Sequence, residues 1–341
     1  MQALKFFSYH NYSVEKTFSG KNAMVTGGLG FIGSNLAIRL AELGANVLIV
    51  DSLVPQYGGN LFNIEPVKDK VRVNFADIRT QTTMNYLVQG QDYIFNLAGQ
   101  VSHLDSMADP FTDLEINCKA QLTLLEALRK HNDKAKIVFA ATRQQYGKPD
   151  YLPLDEKHLM HPTDVNGINK MAGEWYHILY NNVYGIKASS LRLTNTFGPR
   201  QMMKNDRQTY LAWFLRLAMD NQAIKIFGNG EHLRDFNFVD DVVEAFLLAM
   251  ASDKSNGEVF NLGGNEKPSI MQTAQKIVEL CGSGTIEQTE FPADKKKIAI
   301  GSVYSDYSKI KKTLGWAPKI GFEDGLKRTI GYYQKFKNQY W

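Results

Sequence analysis

Residues 22–33 read Asn22-Ala23-Met24-Val25-Thr26-Gly27-Gly28-Leu29-Gly30-Phe31-Ile32-Gly33, and this stretch decides the fold. A short apolar run stops at Thr26. Three spaced glycines follow, Gly27, Gly30 and Gly33, and Phe31, Ile32, Leu36, Ile38 and Leu40 open an amphipathic helical pattern. Strand, tight turn and helix start in that order form a cradle for a dinucleotide pyrophosphate. Gly27 permits the turn, Gly30 lets backbone approach the phosphates, and Gly33 lets the helix pack close to the strand. The phosphates then rest on free N–H groups at the positive end of the helix.

Working outward, the next apolar run, 45–50, ends at Asp51. A carboxylate roughly 20 residues beyond such glycines binds the adenosine ribose hydroxyls and repels a 2′-phosphate, which favours NAD over NADP. Residues 71–75 alternate like a strand and lead to Asp77, which either reaches the adenine or caps the helix expected over 80–88. Residues 93–98 and 136–141 read as buried strands, and Asp109-Pro110 opens a helix expected to run to about residue 129. Strands alternating with helices predict an α/β, Rossmann-type, doubly wound parallel sheet. Its strand ends bring Gly33, Asp51, Asp77, Ala98, Thr142 and Thr194 to one rim. Turn motifs such as Gly198-Pro199, Gly228-Asn229-Gly230 and Gly263-Gly264-Asn265 punctuate the second half, which predicts a smaller mixed α/β substrate-binding domain. The expected division is 20–195 with a contribution near 232–262 for the dinucleotide-binding domain. Residues 196–231 and 263–338 form the second domain, after an N-terminal extension over 1–19.

The chain has 341 residues, 44% hydrophobic and 22% charged, with a net charge of +4. That balance fits a globular protein and makes no electrostatic case for nucleic acid. The cluster Lys295-Lys296-Lys297 reads as a solvated loop. No apolar run suits a membrane span and residues 1–20 lack the apolar core of a signal peptide. Cys118 and Cys281 have no metal-ligand spacing, so both read as packing residues in a reducing cytoplasm, and no metal site is expected.

Further segments carry a resemblance. They are 26–33, Asn96-Leu97-Ala98-Gly99-Gln100-Val101-Ser102, Thr142 with Tyr146-Gly147, Lys170 on its helix, 191–201, 233–241, 260–264 and 314–319. Together they cover nearly the whole chain and resemble the extended short-chain dehydrogenase/reductases, the family of NAD-dependent nucleotide-sugar epimerases and dehydratases. The resemblance implies that Gly27, Gly30, Phe31, Ile32, Gly33, Asp51, Asp77, Ile78, Leu97, Ala98 and Lys170 bind the coenzyme. It implies that Thr142 hydrogen-bonds the reacting sugar oxygen and that Lys170 holds the nicotinamide ribose. Asn195 and Arg234 are expected at the substrate phosphates, with Arg200 and Tyr146 as further substrate contacts; Tyr146 reads equally as a packed aromatic. The implied partner is a nucleotide-diphosphate sugar.

One departure matters. The family's base is a tyrosine four residues before the lysine, and here that position is Asn166. An amide does not ionise in the working range, so Asn166 cannot take a hydroxyl proton as a phenolate does. The Asp-Glu pair that follows the threonine in dehydratases is replaced by Arg143-Gln144, which disfavours a standard 4,6-dehydration. Three repairs stand open: another base (His103, Asp105 or Tyr146), a deprotonated Lys170, or an Asn166 that only orients substrate or water. The leading expectation is epimerisation through a transient keto sugar with a non-standard base. The alternatives are a non-standard elimination and a catalytically silent NAD-binding protein. Arg143, Lys204 and Arg207 either favour an acidic sugar or are ordinary surface charge. Helices near 110–130 and 164–184, with Leu122, Leu125, Trp175 and Ile178, are candidates for a homodimer contact.

Overall fold

The computed structural model describes residues 16–206, 209–291 and 299–341. Most of the N-terminal extension, Arg207 and the 295–297 lysine cluster lie outside the described residues.

Strand β1 (Asn22–Thr26) is buried because neighbours cover both of its faces. Its side chains alternate between two cores. Val25, with Ile49, Phe95 and Val138 from adjoining strands, packs on helix α1 (Phe31–Glu42) through Leu36 and Leu40. Met24, with Leu48, Ile94 and Ile137, packs on Met84, Leu124, Leu128 and Tyr180 behind the sheet. The strands involved are β2 (Asn46–Asp51), β3 (Val71–Phe75), β4 (Tyr93–Asn96), β5 (Lys136–Thr142) and β6 (Ala188–Leu193). The rear helices are α2 (Gln81–Leu87), α5 (Ala120–His131) and α6 (Val165–Tyr184). Two shorter helices, α3 (His103–Ala108) and α4 (Pro110–Leu114), pack against the start of α6.

The central sheet has seven parallel strands in the order β10-β6-β5-β4-β1-β2-β3, in which β10 (Val259–Asn261) returns from the second half to pair with β6. The order reverses beside β1, so the strand ends there open into a crevice. The helix expected to run unbroken from residue 109 is interrupted by a π-turn at Glu115–Lys119 between α4 and α5. That turn sets Asn117 inward, where it donates to Gln100 O and Asp113.

The second half packs separately over the sheet's open rim. Phe197, Phe236 and Phe238 belong to strands β7 (Asn195–Phe197) and β9 (Phe236–Phe238), which pair in parallel. They meet α7 (Tyr210–Met219), α9 (Ile270–Cys281) and α10 (Phe322–Phe336) in a core of their own. Strands β8 (Ala223–Phe227) and β11 (Thr285–Thr289) form a second parallel pair. Helix α8 (Val239–Ala251) covers the α1 face of the sheet.

Candidate active site

The strand ends and the second core enclose one cleft. Gly27, Gly30, Phe31, Ile32, Gly33, Asp51, Asp77, Ile78, Leu97 and Ala98 line its first half. Thr142, Asn166, Lys170 and Asn195 line the second.

The first half is shaped for a dinucleotide. Gly27 has φ +67°, and a Cβ there would come within 2.9 Å of Ala98 N. A Cβ on Gly33 would lie 2.2 Å from Gly27 O, so only glycine lets α1 start this close to the turn. Helix α1 has no side-chain cap, which leaves its first N–H groups for a phosphate. The Asp51 carboxylate is fixed by Leu29 N–H (3.0 Å) and Leu53 N–H (2.8 Å) and faces the cleft. Burial raises its pKa, and those two donors oppose the rise. These residues fit NAD: a pyrophosphate over the glycine turn and ribose hydroxyls at Asp51. Asp77 caps no helix; Arg79 holds its carboxylate at 2.6 Å.

The second half holds the polar chemistry. Lys170 is buried, with Nζ donating to Ala140 O (3.1 Å) and lying 4.9 Å from the Phe139 ring centre. Burial pulls its pKa down to about 8, against the opposing charge of Asp113. Asp113 is itself fully buried and accepts from three amides: Asn117 (3.0 Å), Asn166 (3.1 Å) and Asn169 (2.8 Å). Asn166 gives its other amide hydrogen to Gln100 O at 2.8 Å, and its backbone N–H goes to Ser106 Oγ. Both hydrogens of the Asn166 amide are therefore committed to fixed acceptors. Thr142 Oγ1 accepts from Gln144 N–H (3.1 Å) at the end of β5.

Beside them stands a histidine–carboxylate pair. His103, the first residue of α3, lines the cleft, and its Nδ1 lies 3.1 Å from Asp164 Oδ2, without the alignment of a linear hydrogen bond. Asp164 is buried as the N-cap of α6, where it accepts from Gly167 N–H (2.8 Å) and from Gln144 Nε2 (3.0 Å). Burial works to raise the Asp164 carboxyl, but His103 and these donors outweigh it and hold it below the usual range. Asp164 went unrecognised in the sequence because an aspartate before a helix signals a cap and nothing more.

Three expected substrate contacts lie elsewhere. Tyr146 is fully buried; its hydroxyl donates to Asn261 Oδ1 (2.8 Å) and accepts from Arg192. Burial pushes its pKa up to about 12, so it is a packing residue and no base. Arg200 ties helix α1 to the 3-10 helix Leu61–Val67, donating to Asn35 Oδ1 (2.8 Å) and Asn63 O (3.0 Å), with Tyr332 stacked beside it. Arg234 does not line the cleft and spends Nη1 on Leu233 O (2.8 Å) and Gly301 O (2.6 Å). Asp105, on the same helix as His103, is also outside the cleft lining. Lys204 is exposed.

A glycine turn under a parallel sheet, an aspartate at the end of the next strand and a buried lysine lining the same cleft fit the NAD-dependent extended short-chain dehydrogenase/reductases that act on nucleotide sugars. The chain belongs to that class through the GDP-mannose 4,6 dehydratase family, which matches residues 24–329. It is 35% identical over 312 residues to a putative UDP-glucose 4-epimerase of Methanocaldococcus jannaschii, covering 91% of this chain and 97% of the relative. It superposes on the UDP-glucose 4-epimerase of Thermotoga maritima, solved with UDP-glucose, with a TM-score of 0.84 and 32% identity, covering 93% and 99% of the two chains. The dTDP-glucose 4,6-dehydratase of Streptomyces venezuelae, solved with NAD bound, gives a TM-score of 0.84 at 25% identity over 94% and 98%. Relatives of the chain thus include nucleotide-sugar epimerases, dehydratases and decarboxylases.

Proposed function

We propose that the chain is an epimerase of a nucleotide-diphosphate sugar, working through a transient keto sugar with His103 as its acid–base group in place of the usual tyrosine. The observation that carries this reading is the approach of His103 to the buried Asp164 carboxylate at the cleft wall. With Nδ1 turned to Asp164, Nε2 is the atom left to exchange a proton with a sugar hydroxyl, and the carboxylate stabilises the imidazolium that forms. NAD held over the Gly27–Gly33 turn and at Asp51 would supply the hydride acceptor and donor for the sugar carbon. Lys170 places its ammonium at the base of the cleft, where it holds a ribose hydroxyl and adds positive charge. Thr142 offers its hydroxyl proton to the reacting oxygen, since its own lone pair is taken by Gln144 N–H. Asn166 leaves only its amide oxygen toward the cleft and acts as an acceptor that orients a hydroxyl or a water. The elimination reading is weaker: Gln144 is tied to Asp164 and carries no proton to exchange.

We infer further that a second copy covers one helical face. Ile168, Trp175, Leu179 and Val183 form an exposed stripe along α6, beside exposed Phe111 and Leu114 of α4. Leu125 and Ile178, expected on that face, turn instead into the core. Product NMR on a panel of UDP-, GDP-, CDP- and dTDP-sugars, with coenzyme absorbance followed in parallel, tests the activity. A new stereoisomer is expected from one of them; a keto or unsaturated end product, or binding without turnover, would remove the epimerase reading.

A further inference from the structure

We propose that Arg143 recognises a carboxylate carried on the sugar ring, so that the preferred substrate is a nucleotide-diphosphate hexuronic acid; this rests on the cleft being a nucleotide-sugar site. Arg143 opens the short 3-10 turn that follows β5 and lines the cleft with its sequence neighbours Thr142 and Gln144. Its Nη2 donates to Asn195 Oδ1 at 3.2 Å. Its Nη1 is buried and has no partner among the described residues. A buried guanidinium hydrogen left unpaired is costly, so the arrangement calls for an acceptor that the chain does not supply.

The surroundings deepen that shortage. The carboxylate whose charge acts on Arg143 is Asp235, and it already accepts from the Thr194 hydroxyl, Gly264 N–H and Ser305 N–H. It must also serve Arg234, whose pKa is driven down to about 10 by burial and then by Arg143. Two guanidinium groups thus share one occupied carboxylate. The coenzyme phosphates do not answer the need. They belong at the Gly27–Gly33 turn after β1, and β5 is two strands away in the sheet, roughly 10 Å. The Arg143 side chain then reaches still farther, to Asn195 beyond β6. With Thr142 expected at the reacting sugar oxygen, an anion beside the next residue falls on the sugar on this reading; the alternative, the substrate diphosphate expected at Asn195, is separated by the titration below. The planar fork of arginine matches a carboxylate through paired, charge-assisted hydrogen bonds.

Calorimetric titration of the NAD-loaded enzyme separates the possibilities. The titrants are glucose and glucuronate linked to UDP, dTDP, CDP or GDP, together with each free nucleotide. With the nucleotide that binds best, the glucuronate should bind about 30-fold more tightly than the glucose. Arg143→Gln should bring the two affinities together, and Arg143→Lys should restore part of the difference; retained coenzyme reports that each variant is folded. Equal affinities in the wild type, no binding of either sugar, or an Arg143→Gln variant that loses the free nucleotide as strongly as the glucuronate would each overturn the proposal. The last result would make Arg143 a diphosphate ligand. Selective binding of glucuronate without any new stereoisomer keeps this inference and removes the epimerase reading. Epimerisation of neutral sugars with no preference for the acid does the reverse.

Discussion

Lys170 shows what burial does to one residue. Its ammonium is enclosed with a single backbone acceptor and its pKa falls to about 8. In the unfolded chain a lysine titrates near 10.4, so between about pH 8 and about pH 10 the unfolded state binds more protons and stability rises with pH. Below that window both states carry the charge and the burden is constant. Lys170→Met should therefore be more stable than wild type near neutrality, with the gap closing toward about pH 10 in denaturation of the coenzyme-free protein. A gap that does not change with pH would contradict the assignment. The same variant should turn over no substrate. His103→Gln should lower kcat by about 10²–10⁴ with little change in KM, because the amide fills the space but cannot exchange a proton. Asn166→Ala should lose about 1–3 kcal/mol in denaturant titration, since Gln100 O loses a donor and Asp113 keeps two of its three.

The elements place these residues in pairs. Helix α6 starts at Asp164, so one carboxylate both caps the helix and faces His103 on α3. The two roles separate experimentally. Asp164→Ser keeps an N-cap oxygen and should melt within a few degrees of wild type, while kcat falls at least about tenfold for want of the carboxylate. Equal activity in the two proteins would reduce Asp164 to a cap. The π-turn between α4 and α5 has a comparable part, since it carries Asn117 into the amides around Asp113. Periodicity could announce a helix over that stretch but not the extra residue in one turn, because apolar spacing there serves either geometry. Arg200 and Tyr146 are similar cases. Their segment and their chemistry pointed to the substrate, but packing turned one toward Asn35 and Asn63 and the other toward Arg192.

At the scale of the whole molecule, the exposed α6 stripe predicts association. Leu179→Glu, with Trp175→Glu as a second variant, should shift the protein to a monomer in sedimentation equilibrium, and a wild type that is already monomeric would end the dimer reading. The sheet, the glycine turn and the coenzyme half of the cleft were legible in the sequence. They follow from local physics: period-two burial along strands, the space a Cβ would fill at Gly27 and Gly33, and a carboxylate at a strand end. By family resemblance the sequence also put an asparagine, Asn166, where the usual base stands. It left several candidates open for that role. His103 and Asp164 are brought within 3.1 Å only when α3 folds back on the start of α6. Whether Arg143 is solvated charge or a buried cation short of a partner depends likewise on β7, β9 and the chain behind them closing over the strand end. Burial and pairing between distant segments are properties of the packed chain, and they alone separate a reactive group from an ordinary polar residue.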